Sequence, residues 1–177
     1  MCYAYLGGAP GVLASALAWF TAACVAMYGT AQKAVLALFA GGMMIHPLGV
    51  LISKGLGRPG AHVKGNPLGN LALEGTVWML LGLVLAYGLS LWRIDMFFPA
   101  MLLIIGGRYL TFATVYGMRI YWACGVALAA AGFLLSANFA SPANGAFVGS
   151  AIELVFAVTI YVIDRSRLRS GSTPDTA

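Results

Sequence analysis

Of the 177 residues, 61% are hydrophobic and only 8% are charged, where a soluble domain carries about a quarter charged residues, so a soluble globular fold is excluded. The net charge of +5 lies between apolar runs and at the C-terminus and forms no continuous stripe, which argues against a nucleic-acid-binding face. Cys2, Cys24 and Cys124 show no C-x-x-C spacing, so neither a disulfide framework nor a zinc site is expected.

Six apolar runs follow one another, each close to the ~20 residues that a spanning helix needs. The first, about 6–28, has no basic segment before it. Thr21-Ala22-Ala23-Cys24 has the outline of a lipoprotein cleavage site but lacks the expected leucine, so the run reads as a retained helix. Gly7, Gly8, Gly11 and Ser15 make a ladder of small residues that admits a close neighbour, and mid-run Trp19 is expected to face protein.

The second run, about 34–53, is centred on Gly41-Gly42-Met43-Met44-Ile45-His46-Pro47. Pro47 is expected to break or kink the helix and to loosen the carbonyl of Met43. His46 beside it is either a proton-handling or ligand-binding group or a histidine that satisfies the backbone. A copper(I) path through Met43, Met44, His46 and the cysteines is not supported, because adjacent methionines face different sides of a helix. No metal and no cofactor is expected.

A loop with Lys54, Arg58, His62 and Lys64 leads to Asn66-Pro67, a cap followed by proline at the first helical position. The third run, about 68–92, carries Glu74 some two turns inside it. Asp95 is placed to cap the fourth run, about 96–116, in which Gly106-Gly107 precede Arg108 near the middle. The glycine pair is a second candidate helix break, or a place for close approach. The fifth run, about 120–138, is uncharged; Ser141-Pro142 starts the sixth, about 144–163, which carries Glu153. The expected fold is therefore all-α: one bundle of six transmembrane helices over residues 1–169, with a disordered polar tail over 170–177.

With six spans both termini share a side. Lys54, Arg58, Lys64, Arg119, Arg165, Arg167 and Arg169 lie on that side and only Lys33 and Arg93 on the other, which places the termini in the cytoplasm.

Arg108 is the residue that the chain must accommodate, since a guanidinium in hydrocarbon costs roughly 3 kcal/mol on insertion scales. Glu74 and Glu153 reach similar depth, and one or both are expected to pair with it. Glu74 in Leu-Ala-Leu-Glu and Glu153 in Ser-Ala-Ile-Glu each fall in the third span of a half, as an inverted repeat would place them. Two functions fit: a transporter or channel for a small solute or ion that uses Arg108, Glu74, Glu153 and His46, or a membrane scaffold held by a structural ion pair. Enzyme activity is not expected, because no catalytic motif is present. The bilayer is the expected partner, and a homodimer could form through the small-residue faces of the first and fifth spans.

The segments FAGGMMIHPLGVLISK, NPLGNLAL and FFPAMLLIIGGRYL resemble a family of small bacterial polytopic membrane proteins that is catalogued only as a domain of unknown function. The likeness runs from about Phe39 to Trp122 and implies a bacterial inner-membrane setting without assigning a role to any residue.

Overall fold

The computed structural model describes residues 2–60 and 67–170, with side chains through Arg167. His62, Lys64, the Asn66 cap and the tail beyond Ser170 lie outside the described residues. Among the described residues, six helices are long and apolar enough to cross a membrane. They are α1 (Ala9–Tyr28), α2 (Ala31–Gly55), α3 (Pro67–Trp92), α4 (Phe97–Tyr116), α5 (Ile120–Ala137) and α6 (Pro142–Ser170). Two 3-10 turns, Tyr3–Gly8 and Ile94–Met96, precede α1 and α4.

Hydrocarbon offers no water to a free peptide group, so the chain must stay helical until it reaches the interface. The helix ends carry the residues that satisfy them. The Lys33 amide donates to Thr30 Oγ1 (3.3 Å) at the start of α2, and the Asn144 amide donates to Ser141 Oγ (3.3 Å) at the start of α6. Gly117, at φ 65°, closes α4 in the left-handed region. Asp95 departs from its expected role. The N-cap of α4 is Met96, with no side-chain bond, and Asp95 instead pairs with Arg93 at 2.7 Å. Helix α6 also runs past Asp164 to Ser170, since Arg165 and Arg167 are exposed and need no chain reversal.

The expected helix breaks do not occur. Helix α2 is continuous through Pro47, and α4 is continuous through Gly106 and Gly107. One missing donor at Pro47 leaves the flanking bonds of a 25-residue helix in place. Gly106 serves packing: a Cβ there would stand 2.7 Å from the Gly125 carbonyl and 3.0 Å from the Ala129 nitrogen, both backbone atoms of α5. Gly107 faces open space.

Neighbouring helices are antiparallel and follow the order α3, α4, α5, α6, α1, α2. Small residues set the close crossings. Gly49 of α2 sits on Gly11 of α1, Gly41 on Ala18, Gly132 of α5 on Pro99 of α4, and Gly149 of α6 on the Trp19 ring of α1. The small faces of α1 and α5 thus serve contacts within the chain. Helices α2 and α3 stand at the two ends of this series and do not pack closely on each other.

The gap between α2 and α3 is filled at one end of the bundle only. There Val35 and Leu38 of α2, Ala86 of α3, and Phe97, Phe98 and Leu102 of α4 belong to one buried cluster, and the turn Ile94–Met96 touches α2, α3 and α6. At the other end, where α1 begins and α6 finishes, no described residue fills the gap.

The glycine pair gives a direct test. Gly106→Leu drives a side chain into the α5 backbone and should destabilise by about 1–3 kcal/mol, as overpacking does. Gly107→Leu should leave stability close to wild type. Thermal unfolding in detergent compares them, and equal losses would refute the packing role of Gly106.

Candidate functional site

The open end holds a cavity of 450 Å³ between α2 and α3, with α1 and α4 as its back wall. It extends from Tyr5 and Tyr116 near the end of the bundle to Ser15, Met79 and Ile105. Along α4, from Ile105 to Tyr116, that is a depth of about 16 Å at a rise of ~1.5 Å per residue. Lys54, Arg119, Arg165 and Arg167 are exposed around this same end, so the mouth lies in a positive field that attracts anions.

Arg108 lines the cavity from α4. Its Nη2 donates to Thr76 Oγ1 at 3.1 Å and its Nη1 reaches Met79 Sδ at 3.1 Å, both on α3. The Phe112 ring lies 5.1 Å from the guanidinium carbon, and Nε is buried without a partner. Thr76 Oγ1 donates onward to the Ala72 carbonyl at 2.9 Å. A neutral hydroxyl, a thioether and a ring face orient the cation but do not neutralise it.

The expected ion pair is absent: no carboxylate of a described residue lies within 4.0 Å of the guanidinium, and Arg93–Asp95 is the one ion pair among the described residues. The reason is helical phase. Thr76 and Met79 point at Arg108, but Glu74 lies two residues, about 200°, from Thr76 around the helix. It is exposed on the outer face of α3, in line with Trp78, Leu81 and Leu85, which are also exposed.

Glu153 is fully buried on α6, on the far side of α4 from the cavity, within electrostatic range of Arg108 but not in contact with it. Its Oε1 accepts from the Tyr109 hydroxyl at 3.0 Å. Ser15 and Trp19 of α1 face the same carboxyl group, yet Oε2 and the Trp19 Nε1 have no partner with hydrogen-bond geometry. Tyr109 and Ser15 also line the cavity, so both connect the cavity wall to the buried carboxyl. The Tyr109 ring stacks on Tyr121 (5.9 Å), which stacks on Tyr116 (5.5 Å), and this aromatic column braces the back wall.

His46 faces the cavity from α2, opposite Arg108, and is exposed to it. The structure therefore brings Arg108 and His46 to one cavity, places Glu153 behind its wall and leaves Glu74 outside. Tyr109, Thr76 and Met79 were not foreseen. The i, i+3 pair Thr76 and Met79 on one face of α3 is the signal that could have found the last two.

The turn Tyr3–Gly8 closes the lower back wall. It bends through Leu6, Gly7 and Gly8 at φ 50°, 63° and 90°, which lets the Gly7 carbonyl accept from the Tyr121 hydroxyl at 2.6 Å. Before it, the Cys2 thiol donates to Asp164 Oδ1 at 3.3 Å. Burial, and then the adjacent Asp164 carboxylate, push that thiol above its usual range, so it stays protonated and donating. No cluster of three or more His, Cys, Asp or Glu residues that could hold a metal occurs among the described residues.

Two outcomes test this geometry. Tyr109→Phe leaves Glu153 without its donor and should cost about 1–3 kcal/mol in thermal unfolding, the penalty of an unsatisfied buried group; an unchanged midpoint would place the carboxyl elsewhere. In a background without native cysteines, Gly42→Cys on the cavity wall should react with a water-soluble thiol reagent and Val35→Cys at the filled end should not. Equal labelling would contradict a cavity open at one end.

No curated protein and no solved structure matches the chain. The model of a family of unknown function, DUF7010, matches residues 1–163. This match extends the Phe39 to Trp122 likeness to nearly the whole chain, and the protein, with its six apolar membrane helices and the cavity around Arg108, belongs to that family of unknown function.

Proposed function

We propose that the protein binds a small anionic solute at Arg108 and carries it across the membrane, with the bacterial inner membrane as its setting. The observation that carries this reading is a guanidinium that lines a one-sided cavity with no carboxylate of a described residue beside it. A cation at this depth is costly, and a neutral hydroxyl and a thioether leave most of its charge unbalanced, so an anion has more to gain there than in water. The positive rim concentrates anions at the mouth. Burial of Val35, Leu38, Phe97 and Phe98 at the opposite end supports alternating access, since a carrier in one state is closed on one side.

The scaffold reading requires a saturated ion pair at Arg108, and the geometry does not favour it. The reading favours binding over bond cleavage: of the cavity hydroxyls, Ser53 donates to the Gly49 carbonyl and Thr76 to the Ala72 carbonyl, so neither stands ready as a nucleophile. A homodimer remains part of the reading. With the small faces of α1 and α5 engaged inside the chain, it would form on the outer faces of α2 or α3, and a detergent-corrected mass near twice 18.5 kDa would support it.

Thermal unfolding in neutral detergent with inorganic phosphate, benzoate and dodecanoate tests the binding site. At least one should raise the midpoint of the wild type, and none should raise that of Arg108→Leu. A fully saturated site at a hundredfold excess over Kd adds about 2.7 kcal/mol, well within detection. If no anion shifts the wild type, or the same shift survives in Arg108→Leu, the anion site is not at Arg108. A binding anion that proteoliposomes fail to accumulate would limit the role to binding.

A further inference from the structure

Among the described residues the cavity opens sideways as well as endwise. Leu73 of α3 lines it and is nonetheless 63% exposed. Gly42 and His46, on the facing edge of α2, also line it and are exposed. These rim residues are not at the helix ends. Gly42 lies about 20 Å from the end of α2 at Gly55, and Leu73 about 9 Å from the start of α3, at a rise of ~1.5 Å per residue. The slit between them therefore runs within the apolar slab. It exists because α2 and α3, the two ends of the helix series, do not pack closely on each other in this half of the bundle.

Charge and apolar surface are arranged along one line through that slit. Arg108 supplies the charge at the inner end, with Thr76 beside it. From there to Leu73 and Ile45 the walls are chiefly apolar. A hydrophilic anion would leave those walls against water or lipid, whereas an amphipathic anion covers them and places its head at the guanidinium. The volume of 450 Å³ falls in the ~300–1,000 Å³ range that encloses one drug-sized molecule. It suits one chain, with the tail free to continue through the slit into lipid.

We propose that the ligand is a single-chain amphipathic anion, of the fatty-carboxylate class, which reaches Arg108 from the bilayer through the slit between α2 and α3. This rests on the anion-binding reading above and narrows it: the bilayer is the source of the ligand, not only the surroundings of the protein. Head-first approach of a carboxylate through hydrocarbon is aided by His46, which offers a polar contact on the α2 edge of the slit.

The test uses the full chain in nanodiscs and dodecanoate carrying a photoreactive diazirine near its tail end. Illumination should label the slit edges, around His46 and Leu73, and excess dodecanoate should compete the label away, whereas dodecanol should not. Arg108→Leu should weaken competition by about tenfold or more, the loss of a contact made by a charged group. Leu73→Trp, which narrows the slit without touching Arg108, should lower dodecanoate labelling at His46. Label spread evenly over the outer face of α3, unaffected by Arg108→Leu, would overturn the proposal. So would equal competition by dodecanol. If phosphate or benzoate binds at Arg108 and dodecanoate does not, the amphiphile falls and the anion site stands; if none of the three binds, the anion site falls as well.

Discussion

The bundle is organised around a positive charge that it orients but does not cancel. Arg108 sits on a helix buried against α5 on one side, where Gly106 and Gly125 bring the backbones into contact. On the other side it faces α3, which offers only Thr76 and Met79. An arginine at this depth persists when a carboxylate, a carbonyl cage or a polar cavity meets it. Here it is the cavity that does so. The division of the gap between α2 and α3 into a filled half and an open half follows from the same arrangement, since closing the open half would bury the guanidinium without a counter-charge.

The buried carboxyl groups are held apart from this cation by structure and not by distance along the chain. Arg108 and Tyr109 are adjacent, but successive residues of a helix point about 100° apart. One therefore enters the cavity, and the hydroxyl of the other reaches through the wall to Glu153. Glu153 belongs to the tightly packed half of the molecule, enclosed by α1, α4 and α6, where Trp19 and Leu128 are also fully buried. The result is a stiff wall behind a loosely bordered cavity. That arrangement fits the carrier reading proposed above, in which one side moves against a frame.

Six spans and the shared end of the two termini were legible in the chain, because length, hydropathy and the cap-plus-proline start at Ser141-Pro142 act along the helix axis. What could not be read was direction around the axis. A soluble helix reveals its inner face by its polar side, but the helices here are apolar all round, so Glu74 and Thr76 gave no sign of which faces inward. Phase defeated the Arg108–Glu74 pair, and the α4 wall separated Arg108 from Glu153. Pro47 and the helix-break reading of Gly106-Gly107 misled for a related reason, whereas the close-approach reading of that pair holds at Gly106. Each is a helix breaker in water, but in hydrocarbon a broken helix leaves peptide groups unsatisfied, and the same residues serve as tolerated irregularities or contact points. The turn Ile94–Met96, which seals the filled end, is too short to carry a sequence signature of its own.

The central claim is that Arg108 is kept free of protein carboxylates for a ligand. A high-resolution cryo-EM map of the protein purified gently from its own membrane, with a bound antibody fragment for alignment, reads this directly. The account predicts density that belongs to neither protein nor water within hydrogen-bond reach of the guanidinium, continuing between α2 and α3. A guanidinium bonded to the carboxylate of Glu153 or Glu74, with α2 and α3 closed over it, would contradict it.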